Sequence, residues 1–453
     1  MTLTTSEARR IAHEAYCYAY PMLMAYGLFH AQVFQSTSSM HQGMNRLHHF
    51  RQLGGPRFLN SIPWINNDTP YGAGWLDLRA EPFVLHLPEF PPGRFHNVQL
   101  IDLFTHNFAF FGTRLTGNAA TTILIAGPDW QQPTPAGITH VARAETRFVK
   151  LVTRILLEAG EDAADVRALE DAYRLEPLSA FAGTAAPPAP PALDFPVPDA
   201  LKFETRSAAF IVPFNFLLAL CELPRDEAQM FERFARIGIA PSAAFDAAAL
   251  PAALRAAIDT GAESAHADIV AKAARLSDRV NGWEMPLDLR GDRARMACDE
   301  AALLRRAAAA MYAIWGIDAE EGLYMVADVD AQGQPLDGSR ASYVLRFDAP
   351  PPVHAFWSIT VYDAKTRLLV DHASGRYAVR DRDAGLQLGA DGSLTLLLQY
   401  EPVSDASAAN WLPIPRRPFQ LVARLYWPRA ELLDGRYRPP AVHAIGTADS
   451  LAA

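Results

Sequence analysis

The chain has 453 residues, of which 50% are hydrophobic and 20% are charged. This length predicts two or three domains, and the composition is that of an ordinary globular protein. The formal net charge of −9 argues against a nucleic acid or an anionic membrane surface as the partner, because both repel a negatively charged protein.

The cysteines and the N-terminus bear on the compartment. Cys17, Cys221 and Cys298 form no CxxC pair, and an odd count does not suggest a disulfide framework. The first twenty residues lack the basic start, apolar core and cleavage site of a signal peptide. The longest apolar run, residues 208–221, contains a proline and an asparagine and is too short to span a bilayer. We therefore expect a cytoplasmic protein without a membrane span.

The first half of the chain alternates between helical and extended patterns. Residues 5–35 follow a helical period and predict one or two helices, with a kink or a break at Pro21. Five short strands are predicted between residues 75 and 126. Residues 147–156 predict another strand, and the acidic start of residues 161–174 predicts a helix.

The second half opens with a Pro- and Ala-rich stretch, residues 182–200, which predicts a linker or an extended arm. A mostly helical segment follows, and alternation with a period of two returns after residue 323. The strands predicted there are residues 324–329, 342–347, 356–362, 377–379, 394–399 and 419–426.

These patterns predict an α+β fold with two β-sandwich or jelly-roll-like domains, added helices and a helical insert between the domains. The predicted boundaries are residues 1–181 for the first domain, 182–200 for the linker, 201–322 for the helical segment and 323–453 for the second domain.

An internal comparison links the two halves. Residues 91–102 can be laid on residues 352–363 without a gap, at a constant shift of 261. Phe95 then meets Phe356, and Asp102 meets Asp363. We hypothesise that both halves use a similar sandwich that arose by duplication. The alternative is that any two strand–Pro-turn–strand units look alike, and different strand orders in the two halves would contradict the duplication.

Several motifs carry a resemblance to a known family. The first half contains NxDTxY at residues 66–71, followed by AxWLDL, GRxxxVQLID and GTRxTG. The second half contains Phe356-Trp357-Ser358, Asn410-Trp411-Leu412-Pro413 and Arg424-Leu425-Tyr426-Trp427-Pro428. The first half resembles the bacterial domain of unknown function numbered 1254, and the second half is similar to its common partner, numbered 1214. The resemblance implies a two-domain fold and says little about chemistry. Many members of that family look secreted or envelope-associated.

Metal and cofactor motifs are few. No HExxH or paired-Cys site occurs, but Asp68, Asp102 and Asn67 could form an oxygen-rich site for Ca²⁺ or Mg²⁺. The alternative is that both aspartates cap turns. No GxSxG, GxGxxG or GxxxxGK[ST] motif is present, so NAD, FAD and ATP are not expected as cofactors, and one divalent metal ion stays open.

General acid–base catalysis is the chemistry that the residues leave open. Asp68, Asp102 and Tyr71 are the candidate catalytic groups, with Asp68 and Asp102 as bases or metal ligands. Arg114 and Arg424 could each bind a substrate carboxylate, or form a structural ion pair. The candidate substrate-binding residues are Asn67, Thr69, Gln99, Asn107, Arg114, Trp411 and Arg424. Trp411 is included because it is predicted in a loop beside an asparagine.

The preferred interpretation is an enzyme that acts on a small polar or aromatic metabolite by hydrolysis or acid–base elimination. The alternative is a non-catalytic protein that binds a carbohydrate or another small ligand. An enzyme needs the polar groups in one closed pocket, whereas a binding protein could present an open aromatic groove. We also expect a homo-oligomer.

Overall fold

A computed structural model describes residues 3–55, 63–198, 205–287, 299–403 and 405–446. Its helices are α1 Thr5–Val33, α2 Arg167–Asp171, α3 Leu178–Ala182, α4 Ile211–Leu218, α5 Ala228–Ala235, α6 Ala252–Ala273, α7 Glu300–Ala313 and α8 Ala430–Leu433. Together with the strands below they confirm the predicted α+β class. No helix within the described residues is both long enough and apolar enough to cross a membrane.

The first sandwich lies between α1 and α4 in the chain. Its strands are β1 His48–His49, β2 Tyr71–Asp77, β3 Phe83–Leu87, β4 His96–Ile101, β5 Asn107–Gly112, β6 Thr121–Ala126, β7 His140–Arg143, β8 Phe148–Ile155 and β9 Arg174–Pro177. The larger sheet has the order β1-β2-β8-β4-β5, and the smaller sheet has the order β7-β6-β3-β9.

The second sandwich follows the helical segment. Its strands are β10 Arg279–Val280, β11 Trp283–Glu284, β12 Gly322–Ala327, β13 Ser342–Phe347, β14 Val353–Asp363, β15 Ala378–Arg380, β16 Leu394–Gln399, β17 Trp411–Pro413, β18 Phe419–Pro428 and β19 Val442–Ile445. The larger sheet has the order β10-β11-β12-β18-β14-β15, and the smaller sheet has the order β17-β16-β13-β19.

The two sandwiches share one topology. Strands β11 to β19 of the second sandwich occupy the same places in their sheets as β1 to β9 occupy in the first, so that β11 corresponds to β1 and β19 to β9. Strand β10 has no counterpart among the strands of the first sandwich in the described residues. The agreement includes the parallel pairs β6–β7 and β16–β17, in sheets whose other neighbours are antiparallel. The prediction that both halves use a similar sandwich is therefore confirmed, and the strand order that could have contradicted a duplication instead supports it.

Alternating side chains of each sandwich fill its interior. In the first, Leu76, Val98 and Leu151 of the larger sheet meet Leu85 and Ile123 of the smaller sheet. The second sandwich repeats this arrangement: Met325, Ile359 and Leu425 of its larger sheet meet Leu345 and Leu396 of its smaller sheet. Because successive strand residues point to opposite faces, the intervening residues of each larger sheet face away from its own core.

The helices form a separate layer. Helix α1 packs on α4, α5, α6 and α7, and their buried side chains form one apolar cluster. Trp75 and Phe148, on the outward face of the first larger sheet, belong to this cluster. The described residues from Gly183 to Pro198 form no helix or strand, and Phe195 among them packs on the same cluster. This fits the predicted extended arm, while the domain boundaries stay predictions.

The outward faces of the two larger sheets meet at the domain interface. An apolar cluster there combines Phe95, Phe110 and Leu156 of the first domain with Phe356 and Tyr426 of the second. Beside this cluster the interface carries a group of buried polar side chains.

Candidate functional site

One polar row crosses the larger sheet of the first domain. Tyr71 on β2 lies opposite Arg154 on β8, which lies opposite Asn97 on β4. Directly opposed residues project from the same face of a sheet, so all three side chains point toward the second domain. Arg154 donates to Asn97 Oδ1 at 3.0 Å and to Gln99 Oε1 at 2.8 Å, and its guanidinium carbon lies 5.1 Å from the Tyr71 ring centroid.

The second domain carries a matching row. Tyr324 on β12 lies opposite Arg424 on β18, which lies opposite Ser358 on β14. Arg424 Nη2 donates to Tyr362 Oη at 2.5 Å and to the Trp64 carbonyl oxygen at 2.7 Å. The guanidinium carbon of Arg424 lies 5.4 Å from the Tyr324 ring centroid.

We call Tyr71 and Arg154 the N-terminal pair, Tyr324 and Arg424 the C-terminal pair, and the four residues together the Tyr–Arg site. Hydrogen bonds through Asn66 connect the pairs across the interface. Asn66 hydrogen-bonds with Tyr71, its Nδ2 donates to Tyr426 Oη at 2.9 Å, and the Tyr426 and Tyr324 hydroxyls lie 2.6 Å apart. Both arginines are buried, while the two tyrosines of the site are only half-buried.

The two tyrosines differ in acidity. Burial alone would raise the pKa of Tyr71, but the charges of Arg154 and Arg424 and hydrogen bonding with Arg154 and Asn66 hold that pKa below its ordinary value of 10. For Tyr324 burial dominates and raises the pKa to about 12. The N-terminal pair therefore holds the phenol that more readily loses a proton.

Within the described residues neither arginine of the site forms an ion pair with a carboxylate, although the Asp68 carboxylate interacts electrostatically with Arg424. Arg154 donates to side-chain amide oxygens, and Arg424 donates to hydroxyl and main-chain carbonyl oxygens. Burial would lower the pKa of both guanidinium groups, but the neighbouring tyrosines, and for Arg424 also Asp68, outweigh burial and raise the pKa, so both groups remain charged. Buried charges without a counter-ion are costly, which makes this site attractive to an anion.

Asp68 bridges the two domains beside the Tyr–Arg site, where its charge also acts on Arg424. Its Oδ1 accepts from Arg380 at 2.9 Å and from Arg382 at 3.1 Å, and its Oδ2 accepts from Ser358 at 2.5 Å. Burial would raise its pKa, but the arginines outweigh burial and lower the pKa to about 2. We call this contact the Asp68 latch. With both oxygens engaged, Asp68 gains no support as a base or a metal ligand.

Glu321 makes the reverse contact. This glutamate of the second domain accepts from Asn97 Nδ2 at 2.6 Å and from Arg114 Nε, both in the first domain. Its side chain is 3% exposed. We call this contact the Glu321 latch. Each domain thus inserts one acid into the other, and Arg114 has the structural ion pair that was its alternative to substrate binding.

Asp102 lies elsewhere. It is buried in the turn after β4, where it accepts from the His106 main-chain nitrogen at 2.8 Å, so it takes the turn-capping part. Within the described ranges, no three His, Cys, Asp or Glu side chains are arranged to hold a metal ion. The expectation of a divalent ion on Asp68 and Asp102 therefore has no ligand set in this part of the chain.

The remaining predicted residues divide into two groups. Asn67 and Thr69 are buried in the turn before Tyr71, and Gln99 Nε2 donates to Asn107 Oδ1 at 2.8 Å beside Arg154. These four lie at the domain interface with Arg424. Trp411 does not: it is buried on β17 of the smaller sheet, where its Nε1 donates to the Gln399 carbonyl oxygen at 2.9 Å.

Several interface residues were not predicted. They are Asn66, Asn97, Arg154, Glu321, Tyr324, Ser358, Arg380, Arg382 and Tyr426. A signal for part of this set is present in the sequence: LVTRIL at residues 151–156 and LVARLY at residues 421–426 share a Leu-Val-x-Arg pattern. This pattern singles out Arg154 beside Arg424.

Comparisons with known proteins agree with this organisation. A family described as a protein of unknown function (DUF1254) matches residues 44–177, and a second family described as a protein of unknown function (DUF1214) matches residues 321–430. No curated protein matches the chain.

Two solved structures are similar. The VPA0106 protein from Vibrio parahaemolyticus has 26% sequence identity and a TM-score of 0.77, over 97% of this chain and 100% of that chain. An uncharacterized protein from Burkholderia cenocepacia has 12% identity and a TM-score of 0.46, over 98% of this chain and 95% of that chain. The order of the two family matches agrees with the predicted arrangement. The chain therefore belongs to the two-domain family in which the domain of unknown function 1254 is followed by the domain of unknown function 1214.

Proposed function

We propose that the protein is an enzyme that performs acid–base chemistry on a small polar, anionic metabolite at the Tyr–Arg site. One observation carries this proposal: the half-buried phenol of Tyr71 lies against Arg154, and the charges of the buried Arg154 and Arg424 lower its pKa. Perturbed acidity in a buried polar group at a domain interface is typical of functional sites.

In this proposal Tyr71 takes up and returns the proton. A phenol whose pKa is held below 10 forms phenolate more readily near neutral pH, and phenolate can accept a proton from a carbon next to a carbonyl or carboxyl group. Arg154 and Arg424 stabilise the negative charge that then develops on the substrate. Loss of a leaving group from the neighbouring carbon would complete an elimination.

Elimination is preferred over hydrolysis because of Asp68. A carboxylate with a pKa of about 2 and three donors is a weak base for activating water. The carbohydrate-binding alternative loses its main support, because Trp411 is buried away from the interface. Non-catalytic binding of another small anion stays as the second candidate, since two buried arginines that form no ion pair in the described chain favour it equally.

The test is proton exchange, which needs no known product. The purified protein is incubated in D₂O with a panel of small hydroxy and oxo acids, and exchange of carbon-bound hydrogen is followed by ¹H NMR. We expect exchange with some members of the panel, at a rate that rises with pH and levels off below pH 10 as Tyr71 ionises. Tyr71→Phe should lower this rate by roughly 100- to 10,000-fold.

Tyr400→Phe is the control, because Tyr400 is an exposed residue that follows β16 of the smaller sheet, and its loss of a hydroxyl should leave exchange unchanged. Exchange that survives in Tyr71→Phe would contradict the assignment of Tyr71. A ligand that raises the melting temperature without any exchange would favour the non-catalytic binding protein.

We also propose a cytoplasmic location and a homo-oligomer. Light scattering coupled to size exclusion measures the second directly, and a monomer at micromolar concentration would contradict it. Fractionation of the producing cell measures the first, and recovery from the cell envelope would contradict it.

A further inference from the structure

The two Tyr–Arg pairs are equivalent by strand register. The shift of 261 that lays residues 91–102 on 352–363 places Asn97 on Ser358. Asn97 lies opposite the arginine of the N-terminal pair, and Ser358 lies opposite the arginine of the C-terminal pair. In each domain that arginine lies opposite its tyrosine. The same four positions of one topology thus supply both halves of the site.

The latches obey the same equivalence. Asp68 precedes the tyrosine of its pair by three residues, and so does Glu321. The arginines that bind these acids from the opposite domain are also equivalent. Arg114 lies two residues after the strand partner of Asn97, and Arg382 lies two residues after the strand partner of Ser358. Asn97 itself donates to Glu321, as Ser358 donates to Asp68. The two domains therefore exchange equivalent contacts.

Reciprocal contacts of this kind are those of a twofold-symmetric interface, in which residue i meets j and j meets i. Phe95 and Phe356 are equivalent under the shift of 261, and their rings touch each other with centroids 5.5 Å apart. An approximate twofold axis therefore passes near these rings and relates the N-terminal pair to the C-terminal pair.

We propose that the Tyr–Arg site binds a small dicarboxylate, with one carboxylate on each Tyr–Arg pair. This inference rests on the proposed function for the place of the site and adds the class of its substrate. Each pair supplies one buried guanidinium group that forms no ion pair with a carboxylate in the described chain, and the Nε atom of both groups is buried without a hydrogen-bond partner there. A ligand with one charge would leave the second guanidinium uncompensated.

The two pairs differ at their tyrosine hydroxyls, and this difference assigns them different tasks. The Tyr324 hydroxyl is held 2.6 Å from the Tyr426 hydroxyl, whereas the position equivalent to Tyr426 in the first domain is Leu156. The C-terminal pair therefore anchors one carboxylate, and the N-terminal pair places the other carboxylate beside Tyr71, where the proton is transferred.

Calorimetry with unbranched dicarboxylates from malonate to adipate tests the proposal on the unaltered protein. We expect one chain length to bind best, because the two pairs are fixed by their sheets, and to bind at least tenfold more tightly than its monomethyl ester. Equal affinity of diacid and monoester, or affinity that is independent of chain length, would overturn the proposal.

Variants locate the two carboxylates. Arg154→Met should weaken binding of the best diacid by roughly 10- to 100-fold and remove its advantage over the monoester, because hydrogen bonds to a charged group are lost. Arg424→Lys should weaken binding of the best diacid to a similar extent through the second carboxylate. Lysine keeps a positive charge at this buried position, so the variant is less prone to misfold than one that removes the charge. Arg346→Met is the control, since Arg346 lies at the surface with Asp348 and Asp391.

The outcomes separate this inference from the proposed function. Tyr71-dependent exchange of monocarboxylic acids without any preference for diacids would overturn the inference and leave the enzyme. Tight, length-dependent binding of a diacid without exchange would support the inference and contradict the acid–base chemistry. Unchanged diacid affinity in both arginine variants would overturn the assignment of the Tyr–Arg site.

Discussion

Arg382 contacts the carboxyl groups of both Asp68 and Asp381, yet the pKa values of these acids shift in opposite directions. Asp68 is fully buried and accepts from three donors, which lower its pKa to about 2. Among the described residues Asp381 accepts two long hydrogen bonds, of 3.3 and 3.5 Å, and burial raises its pKa to about 6. At this scale the number of donors, rather than the residue type, decides whether a carboxylate stabilises the fold.

Asp68→Asn should destabilise the protein by about 3–5 kcal/mol, because it removes the fully buried carboxylate charge that Arg380 and Arg382 share. The folded pKa of Asp68 lies below the ordinary 3.8, so its contribution is present above about pH 4 and is lost as pH falls toward 2. Urea unfolding at several pH values measures this. Asp434→Asn, which removes an exposed partner of Arg436, is the control. A loss that does not shrink below pH 4 would contradict the latch.

Asp381→Asn should stabilise the protein at neutral pH, by about 1–2 kcal/mol after allowance for partial exposure. The folded pKa of Asp381 lies above its ordinary 3.8, so ionisation opposes folding. That cost is absent below about pH 4, grows between pH 4 and 6 and is complete above pH 6. The gain in unfolding free energy should therefore be seen at pH 8 and vanish at pH 4. Equal gains at both pH values would point to a cause other than the charge.

At the scale of elements, alternation of apolar and polar residues with a period of two predicted the longer strands of the second sandwich reliably. Strands β13 and β16 have the bounds that alternation predicts, and β14 and β18 differ from prediction only at their ends. Two-residue strands such as β1 and β10 are too short to show an alternating pattern in the sequence. The helix predicted for residues 161–174 was wrong over most of its length, because only Arg167–Asp171 is α-helical and Arg174–Pro177 pairs with β3.

Pro21 illustrates a local rule that packing overrides. A proline inside a helix removes one hydrogen bond and predicts a kink or a break. The structure has a single helix from Thr5 to Val33, with Pro21 buried inside it. The buried side chains of the helical layer pack along α1 on both sides of Pro21, so the helix continues through the proline instead of breaking there, and the sequence of α1 alone does not contain that information.

Helices α1 and α6 cross at Gly261, which yields a prediction for this layer. A Cβ atom at Gly261 would lie 2.5 Å from the Arg9 carbonyl oxygen and 2.7 Å from Ala12 Cβ. Gly261→Ala gains up to ~1 kcal/mol of helix propensity but overpacks the crossing by ~1–3 kcal/mol, so we expect a net loss of stability. Thermal unfolding measures it. Thr260→Ala, one residue away on the exposed side, should not destabilise, and a more stable Gly261→Ala would show that the helices can move apart.

At the scale of the whole molecule, the domain interface forms because the equivalent outward faces of the two larger sheets pack against each other. The Tyr71 turn was recognised from its own polar residues, and Arg424 was singled out from its motif. Arg154 was not predicted as a site residue, because its role depends on a strand register that joins it to Tyr71, more than eighty residues away. The shared Leu-Val-x-Arg pattern can reveal that the two arginines are equivalent. It cannot reveal that they face each other, because that follows from how the two larger sheets pack.

The exchanged latches imply that the two sandwiches unfold together. Separation of the domains would expose the apolar cluster around Phe95 and Phe356 and would leave the acids of both latches without their arginines. We expect peptides from residues 71–155 and 322–428 to lose hydrogen-exchange protection at one urea concentration. In the double variant Asp68→Asn, Glu321→Gln the two sets should separate, because the polar contacts between domains fail before either core.

A second double variant, Asp434→Asn with Glu401→Gln, removes two surface ion pairs within the second domain and should keep a single transition. Two resolved transitions in the unaltered protein would show that each sandwich is stable alone and that the latches only position the domains. A single transition in the latch variant would instead mean that the apolar cluster suffices to couple them. Only coupling through the latches predicts separation in that variant and in no other, so the comparison isolates the contribution of the exchanged acids.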